Sequence, residues 1–249
     1  MSGPEQHAKP PDSLGGHVKG QEVLQLAPGV FLARIDRRSV VLDLGRDRYT
    51  GLNERLTLAL TGQVATAAGS SNPELAGALR QLKSAGILST MAPPLPIRQA
   101  GPPTHSLWPS PPPFERFPAF QARQAGAALV ALARISLSLR TAPIRTTVEQ
   151  MRRTIQFDRG RRPRIGVLPI LDGYTAARPW FPVRPICRLE ALVLAHLFAR
   201  AGHRPALVFG VRLDPFHAHC WVQLDECVVN EPVENVRQYT PIMTLRRPV

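Results

Sequence analysis

The sequence predicts an α+β protein built of two units, with a polar tail in front of them and a proline-rich linker between them. Strand-like runs precede helical patterns in residues 21–90, whereas helical patterns precede strand-like runs in residues 114–249. Residues 91–113 contain nine prolines, which lack the N–H group that helices and central strands need. We therefore predict a stiff linker there, and a disordered tail over residues 1–20, which are polar and rich in Gly and Pro.

The N-terminal unit reads as three short strands followed by two helices. The strands are the β-branched and apolar runs at 30–35, 40–44 and 49–52. Asn53 stands where the N-cap of the first helix is expected, because its side chain can accept a hydrogen bond from the first turn. Asn72 followed by Pro73 marks the start of the second helix, and Gly86 marks its end. This order of strands and helices predicts a winged-helix-like module.

The C-terminal unit reads as helices followed by a small antiparallel sheet. Residues 114–156 have a helical pattern that Pro143 interrupts. A further helix starts at Cys187, just after Pro185, and ends at Gly202. Three strand-like segments follow, at 206–211, 217–224 and 227–230.

The net charge of +13 is compatible with nucleic-acid binding, but the composition offers a plainer explanation. Only three of the 31 basic residues are lysines, and the arginines are spread along a chain that also holds 26 prolines, as a biased genome composition would produce. We therefore favour a solvated basic surface over a nucleic-acid partner. No apolar stretch reaches the roughly 18 residues of a membrane span, and the first 20 residues lack the apolar segment of a secretory signal. We expect a cytoplasmic protein that binds no membrane.

Three cysteines, an odd number without an export signal, argue against a disulfide framework and leave room for a reactive thiol. Cys187 lies at a helix start, where the helix dipole stabilises an anion such as a thiolate. His219 lies in a strand and shares a face with Trp221 and Gln223 by alternation, and Glu231 ends the next strand. Taken singly, these are an ordinary buried cysteine, a hydrogen-bonded histidine and a solvated carboxylate.

In combination, Cys187, His219 and Glu231 have the chain order of papain-like and transglutaminase-like cysteine enzymes. The thiolate would be the nucleophile, and the imidazolium would keep it ionised and later protonate the leaving amine. The carboxylate would orient the imidazole, and the backbone N–H of Cys187 would donate to the oxyanion. A zinc site made of Cys187, His219, Cys220 and Cys227 is the alternative, but neighbouring residues of a strand, such as His219 and Cys220, point to opposite faces.

The same region resembles the B proteins of lasso-peptide biosynthesis, which are transglutaminase-like leader peptidases. The resemblance rests on the helix that begins with Cys187, on Phe209-Gly-Val, and on Phe216-His-Ala-His219-Cys-Trp-Val-Gln, which follows the family pattern Phe-x-x-His-Ala-Trp-Val-Glu. The spacing of 32 residues between Cys187 and His219 also fits the family.

The departures from the family pattern concern the catalytic carboxylate and two neighbours of the histidine. The third catalytic residue of the family, usually Asp twelve positions after the histidine, corresponds to Glu231 here. Glutamate can orient the imidazole with a longer side chain, and Asp225 and Glu234 are the nearest substitutes if Glu231 points away. Cys220 stands where the family has Ala, and Gln223 stands where it has Glu.

The resemblance implies that residues 21–90 form a leader-recognition domain, similar to the pyrroloquinoline-quinone peptide chaperone, that binds a leader peptide as an added β-strand. It implies that the C-terminal unit cleaves the leader from a ribosomally synthesised lasso precursor, so that an asparagine-synthetase-like cyclase can close the macrolactam. Cleavage in the family depends on ATP. Because no phosphate-binding loop is recognisable in the sequence, we expect the nucleotide to bind to the partner cyclase, and we expect neither a cofactor nor a metal in this chain.

Two other classes of function remain open. A winged-helix regulator that binds nucleic acid would need a recognition helix with Arg and Lys on one face, and residues 54–62 and 75–83 hold few of them. A non-catalytic scaffold that delivers the precursor to another enzyme would keep the fold. The scaffold is favoured if His219 or Glu231 faces away from Cys187.

Overall fold

A computed structural model describes residues 25–63, 73–90, 100–107, 119–157, 163–182 and 186–247. The strands are β1 (Gln25–Leu26), β2 (Val30–Ile35), β3 (Arg38–Asp43), β4 (Arg48–Leu52), β5 (Leu88–Ser89), β6 (His105–Ser106), β7 (Pro205–Arg212), β8 (His217–Leu224), β9 (Cys227–Val228) and β10 (Thr240–Leu245). The helices are α1 (Glu54–Gln63), α2 (Pro73–Ser84), α3 (Ala119–Thr141), α4 (Ile144–Phe157), α5 (Val167–Ala177), α6 (Cys187–Ala201) and α7 (Val233–Val236), with a short 3-10 helix at Arg178–Trp180. The predicted tail lies outside the described residues. None of the helices in the described part of the chain is long and apolar enough to cross a bilayer.

The N-terminal sheet has the order β2-β3-β4, and α1 and α2 follow it, as the sequence predicts. The Asn53 side chain accepts a hydrogen bond from the N–H of Leu56 at 3.0 Å, which confirms the predicted N-cap. Helix α2 begins at Pro73, while Asn72 lies outside the described residues. β1 and β5 pair antiparallel after the two helices. The strand and helix order is thus observed, and the winged-helix-like assignment remains a prediction.

The C-terminal sheet has the order β10-β7-β8-β9-β6, and the buried middle of α6 packs against it. Sequence analysis missed α5, which contains Pro169 and Gly173, and β10, which contains Pro241, because these residues usually interrupt helices and strands. Gly173 has a packing role: a Cβ atom there would lie 2.3 Å from the Cβ atom of Gln124. The absence of a Cβ atom at Gly173 lets α5 approach α3 closely.

Part of the predicted linker belongs to the C-terminal sheet. β6 lies within residues 91–113 and pairs parallel with β9. The N–H of Thr104 donates to the carbonyl of Glu226 at 2.9 Å, and the N–H of Leu107 donates to the carbonyl of Val228 at 2.8 Å. Residues 104–107 contain no proline, so they have the N–H groups that the flanking residues lack. Residues 91–99 and 108–113 lie outside the described part.

The N-terminal sheet is buried on both faces. Val41 packs with the apolar residues of α1 and α2. Its neighbours Val40 and Leu42, together with Ala33 and Leu44, are buried in one cluster with the C-terminal helices and β10. Because side chains alternate along a strand, one sheet serves both cores. The two units therefore share a continuous apolar core.

Candidate active site

Cys187 is the first residue of α6, and Ile186 before it has the extended backbone of an N-cap. The first acceptor in the helix is the carbonyl of Ile186, which receives the N–H groups of Leu189 at 2.9 Å and Glu190 at 3.1 Å. The N–H groups of Cys187 and Arg188 precede these bonds and are thus available at the positive end of the helix. This is the position that sequence analysis predicts for the thiol.

The three cysteines differ in accessibility, although all are free thiols. Cys220 is 2% exposed and Cys227 is 7% exposed, and burial raises the pKa of both. Cys187 is half-buried at the surface of the cleft described below. A reagent or substrate in solvent therefore reaches Cys187 first.

His219 on β8 lines the same cleft as Cys187 and Glu231. Its Nε2 atom and the Glu231 Oε1 atom are 2.6 Å apart, and the two side chains are 16% and 13% exposed. Burial lowers the pKa of His219, but its interactions with Cys187 and with the Glu231 carboxylate outweigh burial and raise this pKa to about 9. Glu231 occupies Nε2, so Nδ1 is the ring nitrogen that remains for a second partner. The imidazole is consequently held in its charged form at neutral pH.

Aromatic side chains fix the plane of the imidazole. The Trp221 ring stacks against His219 with centroids 6.2 Å apart, and the Tyr239 ring lies 5.0 Å from it. The Trp221 Nε1–H donates to the Gln223 side chain at 2.9 Å, so the predicted common face of His219, Trp221 and Gln223 is confirmed. A Cβ atom at Gly210 would lie 2.6 Å from the Trp221 ring, so only glycine leaves room for it.

The segment after β9 carries the carboxylate. β9 ends at Val228, so Glu231 lies in the loop before α7. The prediction that Glu231 ends the strand is therefore wrong. The Asn230 side chain accepts the N–H of Val222 at 2.8 Å and donates to Glu231 at 3.5 Å, which anchors this loop to β8. The hydrogen bonds found for Asp225 and Glu234 use their backbone carbonyls. Glu231 is therefore the carboxylate that the fold brings to His219, and its catalytic role remains a prediction.

The α5–α6 side of the cleft carries a second, unpredicted carboxylate. Glu190 lies one turn after Cys187 and contacts the Arg178 Nη2 atom at 3.0 Å, while the Tyr174 hydroxyl donates to it at 3.2 Å. Burial raises the pKa of Glu190 despite these partners. Sequence analysis missed Glu190, although its position three residues after Cys187 places both on one helix face. Arg178 could not be found in this way, because it belongs to the unpredicted region around α5.

Together these residues line a cleft of about 330 Å³. The lining residues are Arg178, Cys187, Glu190, His219, Asn230, Glu231, Pro232 and Asn235. The arrangement supplies a nucleophile, a charged imidazole and an orienting carboxylate, with backbone donors at the helix start. Within the described ranges, no group of three or more His, Cys, Asp or Glu side chains is placed to hold a metal ion.

Comparison with known proteins gives one family. Residues 116–244, slightly more than half of the chain, match the family model of the transglutaminase-like superfamily. The matched segment contains the whole cleft and does not include the N-terminal sheet. Searches of curated proteins and of solved structures find no match to this chain.

Proposed function

The chain belongs to the transglutaminase-like superfamily, and we propose that it is a cysteine peptidase that removes the leader from a ribosomally synthesised lasso-peptide precursor. The observation that carries the peptidase assignment is the single cleft lined by Cys187, His219 and Glu231, in which the His219 Nε2 atom lies 2.6 Å from the Glu231 Oε1 atom. The motifs around Cys187 and His219 support the narrower assignment to lasso-precursor processing.

The reaction would proceed in two steps. The Cys187 thiolate attacks the carbonyl carbon of the last leader residue, and the N–H groups of Cys187 and Arg188 are available to the oxyanion that forms. His219 then transfers its proton to the leaving amine, which becomes the N-terminus of the core peptide. In the second step, His219 takes a proton from water, which attacks the thioester and frees the leader. Glu231 holds the ring in one orientation throughout.

The N-terminal sheet is the proposed leader site. β4 pairs with β3 alone among the described strands, so its outer edge is open to an added strand. The turn that precedes β4 contacts α6 beside the thiol, because Arg188 donates to Asp47 at 3.2 Å. A leader bound along β4 would thus run close to the thiol, at a raised effective concentration of the scissile bond.

The proposal includes a partner and a cellular place. The released core amine is the nucleophile that an asparagine-synthetase-like cyclase needs for macrolactam formation, and ATP dependence of the cleavage would come from that cyclase. Both enzymes and the precursor would meet in the cytoplasm, and no nucleic acid takes part.

The first test is incubation of the purified protein with the precursor peptide encoded beside it, with and without the cyclase and ATP, followed by mass spectrometry. We expect loss of a leader fragment, which Cys187→Ala abolishes without loss of precursor binding. Cys227→Ala is the matched control, because this buried thiol lies outside the cleft, and it should retain cleavage. A precursor that stays bound but intact under every condition would favour the delivery scaffold instead.

The leader site has its own test. Hydrogen exchange with and without leader peptide should show protection of the β4 amides, while β2, the other edge of the same three-stranded sheet, serves as the internal control. Protection of β2, or of neither strand, would contradict the assignment.

A further inference from the structure

The N-terminal sheet contacts the start of the catalytic helix. Arg188, the residue directly after Cys187, donates from Nη1 to both carboxylate oxygens of Asp47 at 3.2 Å. Asp47 lies in the turn between β3 and β4, where its φ of 48° is left-handed. The Arg188 Nε atom is buried without a hydrogen-bond partner among the described residues, so Asp47 provides the polar contact that orients this guanidinium.

The same sheet also contacts the turn that leads to His219. Arg38 of β3 forms an ion pair with Asp214 in the turn between β7 and β8. The ring of Tyr49 packs against Phe216 in that turn, with centroids 5.7 Å apart. One three-stranded sheet therefore bridges the two segments that carry the thiol and the imidazole, although it lies outside the matched family segment.

We propose that Asp47 is a positioning residue for the catalytic pair, acting through Arg188. Side chains at successive helical positions project in fixed directions about the axis, so anchoring Arg188 to the sheet fixes the rotation of the first turn of α6. That rotation determines where the Cys187 thiol points. The contacts at Asp214 and Phe216 hold the start of β8 against the same N-terminal sheet. This inference rests on the proposed function for its biological meaning, but its test needs no peptide substrate.

A purely electrostatic role of Arg188 makes the opposite prediction for one variant. If only its charge acted on the thiol, Asp47→Asn would leave that positive charge unneutralised, stabilise the thiolate and speed its reactions. Arg188→Gln would then slow them. A positioning role predicts that both substitutions act in the same direction, because each breaks the same link.

The experiment measures alkylation of the full chain by iodoacetamide from pH 5 to pH 10, with the modified cysteine identified by mass spectrometry. A thiolate paired with an imidazolium reacts well below the usual thiol pKa of about 8.5 and gives a plateau at low pH. We expect Asp47→Asn and Arg188→Gln each to lower this plateau about two- to fivefold, as befits a partly exposed ion pair. The double variant should be no slower than either single one, and Arg188→Lys should recover part of the rate.

Asp36→Asn is the matched control. Asp36 lies in the turn at the other end of β3, also with a left-handed backbone, which asparagine tolerates equally well, and this variant should behave as the wild type. Cys220 and Cys227 report folding, because they become alkylated only if a variant unfolds. Faster alkylation of Asp47→Asn, an unchanged rate, or an equal loss in Asp36→Asn would overturn the proposal. Failure of leader cleavage with a normal wild-type plateau would contradict the proposed function and leave the positioning role standing.

Discussion

The two walls of the cleft each present a glutamate, and the two differ in partner more than in burial. The Glu231 side chain is 13% exposed and binds His219, while the Glu190 side chain is 15% exposed and binds Arg178. The partner of Glu231 can gain and lose a proton at accessible pH, whereas a guanidinium stays charged. We infer that Glu231, on the wall from β8 to α7, serves proton transfer, and that Glu190, on the wall that also carries Cys187, maintains the shape and charge of the cleft.

The largest expected effect is the loss of kcat on substitution of Glu231. Glu231→Gln removes the charge that orients and stabilises the His219 imidazolium, so we expect kcat to fall by a hundredfold or more, on the order of the contribution of acid–base catalysis. Steady-state cleavage of the precursor measures it. Glu234→Gln is the control on the neighbouring helix and should change kcat little. Equal losses in both variants would contradict the assignment of Glu231.

The pH dependence of the wild type follows from the raised pKa of His219. Because the imidazolium is needed, kcat/KM should fall as the pH rises through about 9, roughly tenfold per pH unit beyond it. In Glu231→Gln this limb should move to lower pH. A profile that is flat up to pH 10 would exclude His219 as the proton donor.

The same ionisation affects folding. The pKa of His219 is higher in the folded chain than its ordinary value of 6.5. Its contribution to the free energy of unfolding is therefore complete below about pH 6.5 and is lost as the pH rises through about 9. Urea unfolding at several pH values should show this loss in the wild type and a smaller one in Glu231→Gln.

A further prediction concerns the packing behind His219. In Gly210→Ala the new methyl group meets the Trp221 ring that stacks on His219, so we expect destabilisation of about 1–3 kcal/mol, as for other overpacked sites, and lower activity. Gly51→Ala is the matched strand glycine with nothing within 4 Å of its added Cβ atom. Its free energy of unfolding should stay within about 0.5 kcal/mol of the wild type.

The smallest effect is expected on the opposite wall. Arg178→Gln removes the cation from Glu190, and we expect a loss of roughly 1 kcal/mol of stability and a change in kcat/KM of no more than a few fold. Arg152→Gln, which breaks a more exposed ion pair with Glu149, is the control and should cost less. If Arg178→Gln were as inactive as Glu231→Gln, the proposed division between the walls would be wrong.

Local features of the site and fold were predictable because their causes lie within a few residues. The N-cap at Asn53, the helix start at Cys187 and the common face of His219 and Trp221 all follow from capping chemistry and strand alternation. The matched family segment likewise agrees with the transglutaminase-like resemblance of the C-terminal unit.

The choice among carboxylates was not local. Asp225, Glu231 and Glu234 all lie close to His219 along the chain, and β9 had to end at Val228 and Asn230 had to bind β8 before Glu231 faced the imidazole. Arg178 reaches Glu190 only because α5 packs against α3 and α6. Such contacts depend on long-range packing, which no short sequence pattern encodes.

The sequence by itself thus determined the helix that begins at Cys187, the strand that carries His219 and the strand–helix order of the N-terminal unit, since periodicity and caps act over one or two turns. Only the tertiary structure decided that the N-terminal sheet shares its core with the C-terminal unit and that Asp47 reaches Arg188. The physical reason is that a strand buries two faces. Alternation shows that Val40 and Val41 point to opposite sides, but only the packed chain shows what each side meets.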